Sequence, residues 1–530
     1  MASGLPRMRY GSGIRQRQQT EFAGYDHNKG AEEGTLWDME NLSSRAYPLL
    51  TNRSKRVLCR TLTKPNGLYA HDGLFLVDGT TFYADGVARG TVSDSKKTFA
   101  SLGSYIIILP DKKYYNLTSE DFGSLESGWT GAATIQDGTY AGEEAAANTI
   151  YAAGVDWSSY FKEGDAVTIE GCTIHPENNK TPIIREIDGS YLRFYENVFT
   201  IDEGGDTESA VSIRREVPDL DFVCENENRL WGCCGDTIYA SKLGDPFNWN
   251  VFDGLTTDSF AVDVGSAGDF TGCYSYLGYP CFFKNEHIYK MYGVKPSNYQ
   301  TIESASLGVL EGCGDTLAIA GEALFYLSRA GVMIYSGGIP QSASQAFGEV
   351  QYRTGCAGSD GLRYFISMQD EAGDWSLFVF DTRYNLWHRE DDFHALALAW
   401  QDGLYALDAD GGLWWLTGPE APTGTAEGTV ASMAEFGDFV EESPNKKGTG
   451  KLLVRAELED GATVVIHMQF DSDGVWRQVA TLEASVKKSW YLPIIPRRSD
   501  YFRIRFTATG DWTLYSLTRE SYTGSQLKSR

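Results

Sequence analysis

A motif that returns about every 40 to 50 residues, the length of a propeller repeat, constrains this chain more than any other feature. Each copy reads as an apolar run, a Gly or Asn, a second apolar or aromatic run, a polar turn and an aromatic residue. Gly73 leads to Tyr83, Gly103 to Tyr114, Asn228 to Tyr239, Gly278 to Tyr289 and Gly403 to Trp414. The stretch from Gly321 to Tyr335 is the same unit with a longer turn. Strand pairs of this size cannot bury their faces alone and must pack against copies of themselves. The pattern predicts an all-β fold: a β-propeller of six or seven blades, with an inserted small β-barrel and a C-terminal β-sandwich.

The chain of 530 residues is too long for one core. Residues 1–55 are polar, Gly-rich and weakly periodic, and read as an extended N-terminal arm. The first part of the propeller is expected over 56–117, with turns at Asp72-Gly73, Asp78-Gly79 and Asp85-Gly86. The repeat breaks over 118–219, where a Gly-Asp turn, a Val/Ile strand and a hairpin at Asp188-Gly189 suggest an inserted small barrel. The repeat resumes over 220–418, a Gly/Pro/Thr/Glu-rich linker covers 419–447, and six alternating strand-like runs over 448–530 suggest the sandwich.

The formal net charge is −26, with 72 acids against 46 Lys and Arg. Such a surface repels a phosphate backbone on average. The basic residues gather near the ends: Arg7, Arg9, Arg15 and Arg17 at one, and Lys487, Lys488, Arg497, Arg498, Arg503 and Arg505 at the other. Nine cysteines without Cys-x-x-Cys spacing suit reduced thiols in a chain assembled in a cytoplasm. No secretory leader and no bilayer-spanning apolar run are expected.

Linear motifs for chemistry are scarce. The seven histidines (His27, His71, His175, His287, His388, His394, His467) show no ligand spacing, and no metal or cofactor is expected. His388 and His394 bracket the acidic run 390–392, which reads as a solvated loop. Asp408-Ala-Asp410-Gly and Asp471-Ser-Asp473-Gly open like calcium loops but lack the distal acid, so hairpin turns are expected. There is neither a G-x-S-x-G elbow nor a phosphate loop. No catalytic residue is assigned, and the expectation is a protein that is not an enzyme.

Several segments carry a resemblance. FAGYDHNKG, LWDMENLSSRAYPLLTNR, ENRLWGCCGDTIYASKLGDPFNWN and the closing YFRIRFTATGDWTLYSLTRE resemble the tail tubular or nozzle proteins of short-tailed phages. That resemblance covers the propeller and sandwich and is weakest over 118–219. It implies a virion structural protein in the tail, assembled in the bacterial host cytoplasm. It further implies a six-fold homo-oligomeric ring that contacts the portal, the adaptor and other tail proteins. DNA would pass through during ejection without specific binding. On that reading Phe22, Tyr25, Trp37 and Tyr47 anchor the arm for assembly, and Phe247 and Trp249 pack a subunit interface. The alternative is a tail-borne propeller that binds or cleaves host glycans, with aromatics and close carboxylates in one pocket.

Overall fold

The computed structural model describes residues 14–28, 33–139, 145–195, 197–441, 446–495 and 497–523. Arg7 and Arg9 of the basic N-terminal cluster lie outside them, as do linker residues 442–445. The regular structure among the described residues is β-strand joined by short 3-10 turns. No helix among them is long and apolar enough to cross a membrane. The chain is a β-propeller with an inserted barrel and a C-terminal sandwich. It forms two compact units, Thr63–Leu317 and Met1–Leu62 with Ala318–Arg530.

The unit Thr63–Leu317 contains four blades, each a four-stranded antiparallel sheet, at 65–91, 98–124, 222–263 and 272–305. The repeated Gly or Asn marks the turn between the first and second strands of a blade. That turn needs positive φ, and Asp72 (50°), Gly103 (57°), Asn228 (58°) and Gly278 (77°) supply it. Alternation then buries one face of each sheet against the next. Phe75, Val77 and Phe82 of the first blade share a core with Ile106, Ile108 and Tyr115 of the second.

Between the second and third of these blades the chain builds a six-stranded sheet from strands between Ser127 and Arg215. Its two ends meet through an Ala166–Ile183 bridge. Backbone bonds from Ile169 N to Lys180 O (2.8 Å) and Ile184 N to Asp165 O (2.9 Å) complete the closure. The barrel is filled by Trp157, Phe161, Ile169, Phe194 and Ile213. It is fixed to the third blade by Asn248, whose side chain accepts from Ala166 N (3.0 Å) and donates to the Asp165 carboxylate (3.0 Å). Arg215 donates to the same carboxylate at 2.6 Å.

The second unit carries three further blades at 318–342, 352–389 and 395–417. The last takes an additional strand, Val57–Thr61, from the sequence before the first blade. Gly412 faces Thr61 and Trp415 faces Val57 in that pairing.

The same unit contains a ten-stranded sheet that bends into the sandwich. Four of the six sandwich runs read from sequence pair up into two long strands rather than four. Residues 459–462 look like a hairpin turn, yet Lys447–Phe470 runs on through them as one strand. The register with the neighbouring strand Arg477–Pro493 shifts there, from Leu458–Ser485 to Thr463–Glu483. The extra residues bulge, so the strand bends instead of reversing. Its first half pairs with Trp512–Thr523 and its second half with Phe502–Thr509. The polar arm also contributes strands. Ile14–Gln19 and Leu50–Asn52 pair with Trp512–Thr523, and Leu36–Glu40 pairs with Ala431–Phe436, a strand inside the expected linker.

Two buried arginines sit where the arm enters the last blade. Arg56 donates to Glu390 (2.7 Å) and to both oxygens of Asp391 (2.7 and 2.9 Å). Arg53 donates to both oxygens of Glu427 (2.7 and 2.8 Å). The acidic run between the two histidines is therefore an ion-pair partner rather than a solvated loop. Burial alone would raise the Asp391 carboxyl, but Arg56 and then Arg53 outweigh it and hold it below the ordinary range. His388, by contrast, is buried with neither ring nitrogen hydrogen-bonded among the described residues. Burial, helped by Arg363, pulls it from 6.5 down to about 3.

Removing one partner of a buried pair strands the other charge. Arg56→Ala is therefore expected to cost about 3–5 kcal/mol of the unit that holds it, read as a lower urea midpoint with the transition of the unit Thr63–Leu317 unmoved. His388 gives a pH prediction. The unfolded chain binds its proton near 6.5 while the folded one stays neutral to about 3. Stability should fall on acidification through that window by about 1.4 kcal/mol per pH unit. In thermal melts from pH 7 to 4, His388→Leu should flatten the slope.

Candidate functional site

The residues expected to make assembly contacts fall into two groups. The arm residues pack within their own unit. Phe22 lies 6.1 Å from Phe436, ring centre to ring centre. Tyr25 packs edge-on to Phe378 at 5.5 Å, and its N–H donates to Trp387 O at 2.7 Å. Burial, then Asp38, push the Tyr25 hydroxyl upward. Trp37 lies 4.1 Å from His27 and under the Arg503 guanidinium at 4.9 Å. Tyr47 stacks on Tyr384 at 4.4 Å and donates to Glu21.

Phe247 and Trp249 are in the other unit. Phe247 is half-buried, edge-on to Tyr105 (5.3 Å) and Tyr114 (5.2 Å), with the Arg215 guanidinium 5.1 Å away. Trp249 is 3% exposed in the core beneath the barrel, its indole N–H donating to Pro246 O at 3.0 Å. Of that loop's three large aromatics, Phe252 is the open one, 61% exposed.

A different surface carries exposed apolar side chains beside positive charge. Along and just beyond the strand Arg477–Pro493, Tyr491 is 67% and Ile495 90% exposed. Lys487, Lys488, Arg497 and Arg498 are exposed around them. Among the described residues this strand pairs within the sheet only with Lys447–Phe470. Lys487 lies 3.5 Å from the Tyr515 ring centre and Lys488 4.9 Å from that of Trp490. Sequence reading found the basic cluster but not the apolar residues among it, because Tyr491 and Ile495 read as ordinary strand alternation.

The two Asp-x-Asp-Gly segments serve as the turns expected of them. Asp408 accepts from Gly412 N (2.7 Å) and from the Trp414 indole (2.6 Å). Asp471 accepts from Asp500 N (2.7 Å), and Asp473 pairs with Arg477 (2.7 Å). His394 stacks on Trp375 at 3.6 Å.

One polar cavity of about 430 Å³ opens between the first two blades, lined among others by Asp72, Asp85, Arg89, Tyr115 and Glu120. Arg89 clamps Glu120 with two bonds of 2.6 and 3.0 Å. Asp85 accepts from Leu74 N at 2.9 Å. The Tyr115 ring is 4% exposed beneath Arg89, so its face is not open to stacking. The first strands of the seven blades carry a single carboxylate, Glu225.

No protein-family model matches the sequence, and no curated protein matches it. Solved structures do. One described as U3-55K is 8% identical over 68% of this chain and 97% of its own, with a TM-score of 0.35. An exo-β-1,3-galactanase from Phanerochaete chrysosporium, solved with β-1,3-galactotriose, is 9% identical over 88% of this chain and 100% of its own, TM-score 0.21. A glycoside hydrolase family 43 arabinoxylan arabinofuranohydrolase from Bacillus subtilis, in complex with cellotetraose, is 8% identical over 86% of this chain and 95% of its own, TM-score 0.18. At these identities the likeness concerns the fold alone.

The expectation that the chain is not an enzyme is withdrawn; an exo-β-1,3-galactanase and a glycoside hydrolase stand among the solved structures it resembles in fold. That expectation leaned on missing linear motifs. A propeller leaves its chemistry to groups gathered from separate loops, so missing motifs do not exclude catalysis. The cavity between the first two blades is where this can be checked. Glu120→Gln should remove a carboxylate acceptor and abolish binding of any neutral, hydroxyl-rich ligand found there, measured by titration calorimetry, with the melting temperature nearly unmoved because the pair is partly exposed.

Proposed function

We propose that this chain is a virion structural protein that assembles with copies of itself into a tail nozzle ring. The observation that carries the reading is the exposed apolar pair Tyr491 and Ile495 set among basic residues on a chain of net charge −26. Apolar residues of that exposure mark interaction sites. The positive rim complements the acidic body of a second copy, which favours encounter and register. The resemblance to tail nozzle proteins adds support. Its segments at opposite ends of the sequence are partners in one sheet, with Leu50 facing Leu514 and Thr51 facing Thr513. The acidic body suits a conduit that duplex DNA crosses without being held. The portal and adaptor would be the neighbours, and the tail of the virion the location.

A second reading, a propeller that engages host glycans, draws on the cavity with three carboxylates and one arginine. It predicts binding to cell-wall polysaccharide that Glu120→Gln abolishes.

The deciding measurement is the solution mass and negative-stain image of the full chain. Closed rings with an opening wide enough for duplex DNA are expected. The double variant Tyr491→Asp, Ile495→Asp should remain monomeric with an unchanged melting temperature, both side chains being exposed. A chain that stays monomeric at every concentration, or rings indifferent to the double variant, overturns assembly through this surface.

A further inference from the structure

We propose that the inserted barrel binds a divalent transition-metal ion through His175, Asp202 and Asp206, a site independent of the assembly reading. Each residue offers one ligand atom, and these three atoms lie within 4.8 Å of one another. His175 Nε2 is 3.5 Å from Asp202 Oδ1 and 3.5 Å from Asp206 Oδ2. Those separations are too long for hydrogen bonds of ordinary strength. They match a shared ion instead: two ligands each about 2.1 Å from a tetrahedral centre lie roughly 3.4 Å apart.

The polar bookkeeping points the same way. His175 Nε2 is buried and makes no hydrogen bond among the described residues. The Asp206 carboxylate is 5% exposed, and its Oδ2 accepts one long bond, 3.4 Å from Asp202 N. An imidazole nitrogen and two carboxylate oxygens that converge in this way offer a cation three ligand atoms at once. Glu177 lies 3.6 Å from the opposite ring nitrogen, Nδ1. Closing by a few tenths of an ångström would make that carboxylate the hydrogen-bonded outer partner of a metal-bound imidazole.

The ligands are held before any ion arrives. His175 precedes the short turn Pro176–Asn178. Asn178 donates to Thr200 O (2.8 Å) and accepts from Thr200 N (2.9 Å), which clamps this turn to the loop carrying Asp202. Glu208 accepts from Thr173 N (2.7 Å) and Ile174 N (2.8 Å), fixing the approach to His175. Gly204 (φ 100°) and Gly205 (φ 87°) turn the chain so that Asp202 returns over Asp206. One imidazole with two carboxylates suits Zn²⁺ or Mn²⁺ better than Ca²⁺, which prefers oxygen alone. Three protein ligands leave a fourth position for water.

The test uses the full chain, stripped with chelator, dialysed and titrated with ZnCl₂ by calorimetry, with MnCl₂ and CaCl₂ in parallel. One Zn²⁺ per chain is expected, with a raised melting temperature and Ca²⁺ far weaker. Asp202→Asn, at a side chain 75% exposed, should fold normally and weaken binding at least tenfold. His175→Gln should abolish it, and Glu177→Gln should weaken it about tenfold. His394→Gln, outside the cluster, should bind as the parent does. No stoichiometric binding, or binding unchanged in both Asp202→Asn and His175→Gln, overturns the proposal.

Discussion

The pairing of Val57–Thr61 with Gly412–Thr417 is the constraint on which the rest of its unit depends. It builds a strand from before the first blade into the last one. The described residues upstream of 57 then find their place beside the late blades and the sandwich. Leu50–Asn52 meets Trp512–Thr523, Leu36–Glu40 meets Ala431–Phe436, and Tyr25 enters the aromatic cluster of Phe347 and Phe378. The short span between the two pairings carries Arg53 and Arg56, which are buried as a result. Glu390, Asp391 and Glu427 neutralise them. Such a network contributes little net stability over an apolar alternative. It does penalise any register in which the arginines miss their carboxylates.

The other unit solves a different problem: attaching a barrel to a blade without leaving polar backbone unsatisfied. The loop after the third blade's third strand does this with Asn248, which satisfies both a barrel N–H and the Asp165 carboxylate. Trp249 and Phe247 seal the joint beneath it.

The fold was legible wherever local rules set it. The Gly or Asn of each repeat marked a positive-φ turn, and alternation marked the blades. The destination of the arm was not legible, since nothing in Ile14–Gln19 or Leu36–Glu40 names a partner hundreds of residues away. The bend in Lys447–Phe470 was also hidden, because Glu459, Asp460 and Gly461 suit a bulge as well as a turn. Site residues were harder still. Tyr491 alternates like any strand residue, and its exposure depends on which strands lie beside it. His175, Asp202 and Asp206 have no ligand spacing along the chain. Clamps such as Asn178 to Thr200 bring them together.

The sandwich pairing has a consequence for biosynthesis. Ile14 faces Tyr522 in the finished sheet, so the earlier strand must wait while the residues between them are made. At ribosomal speeds of about 5–20 residues per second, that wait is roughly 25 to 100 s. For most of it, Val57–Thr61 also lacks its partner strand Gly412–Thr417, and its edges are open to other nascent chains. The arm's polar composition now has a kinetic reading. A segment such as IRQRQQ stays solvated and resists premature pairing, and its contacts form only once Trp512–Thr523 has been made.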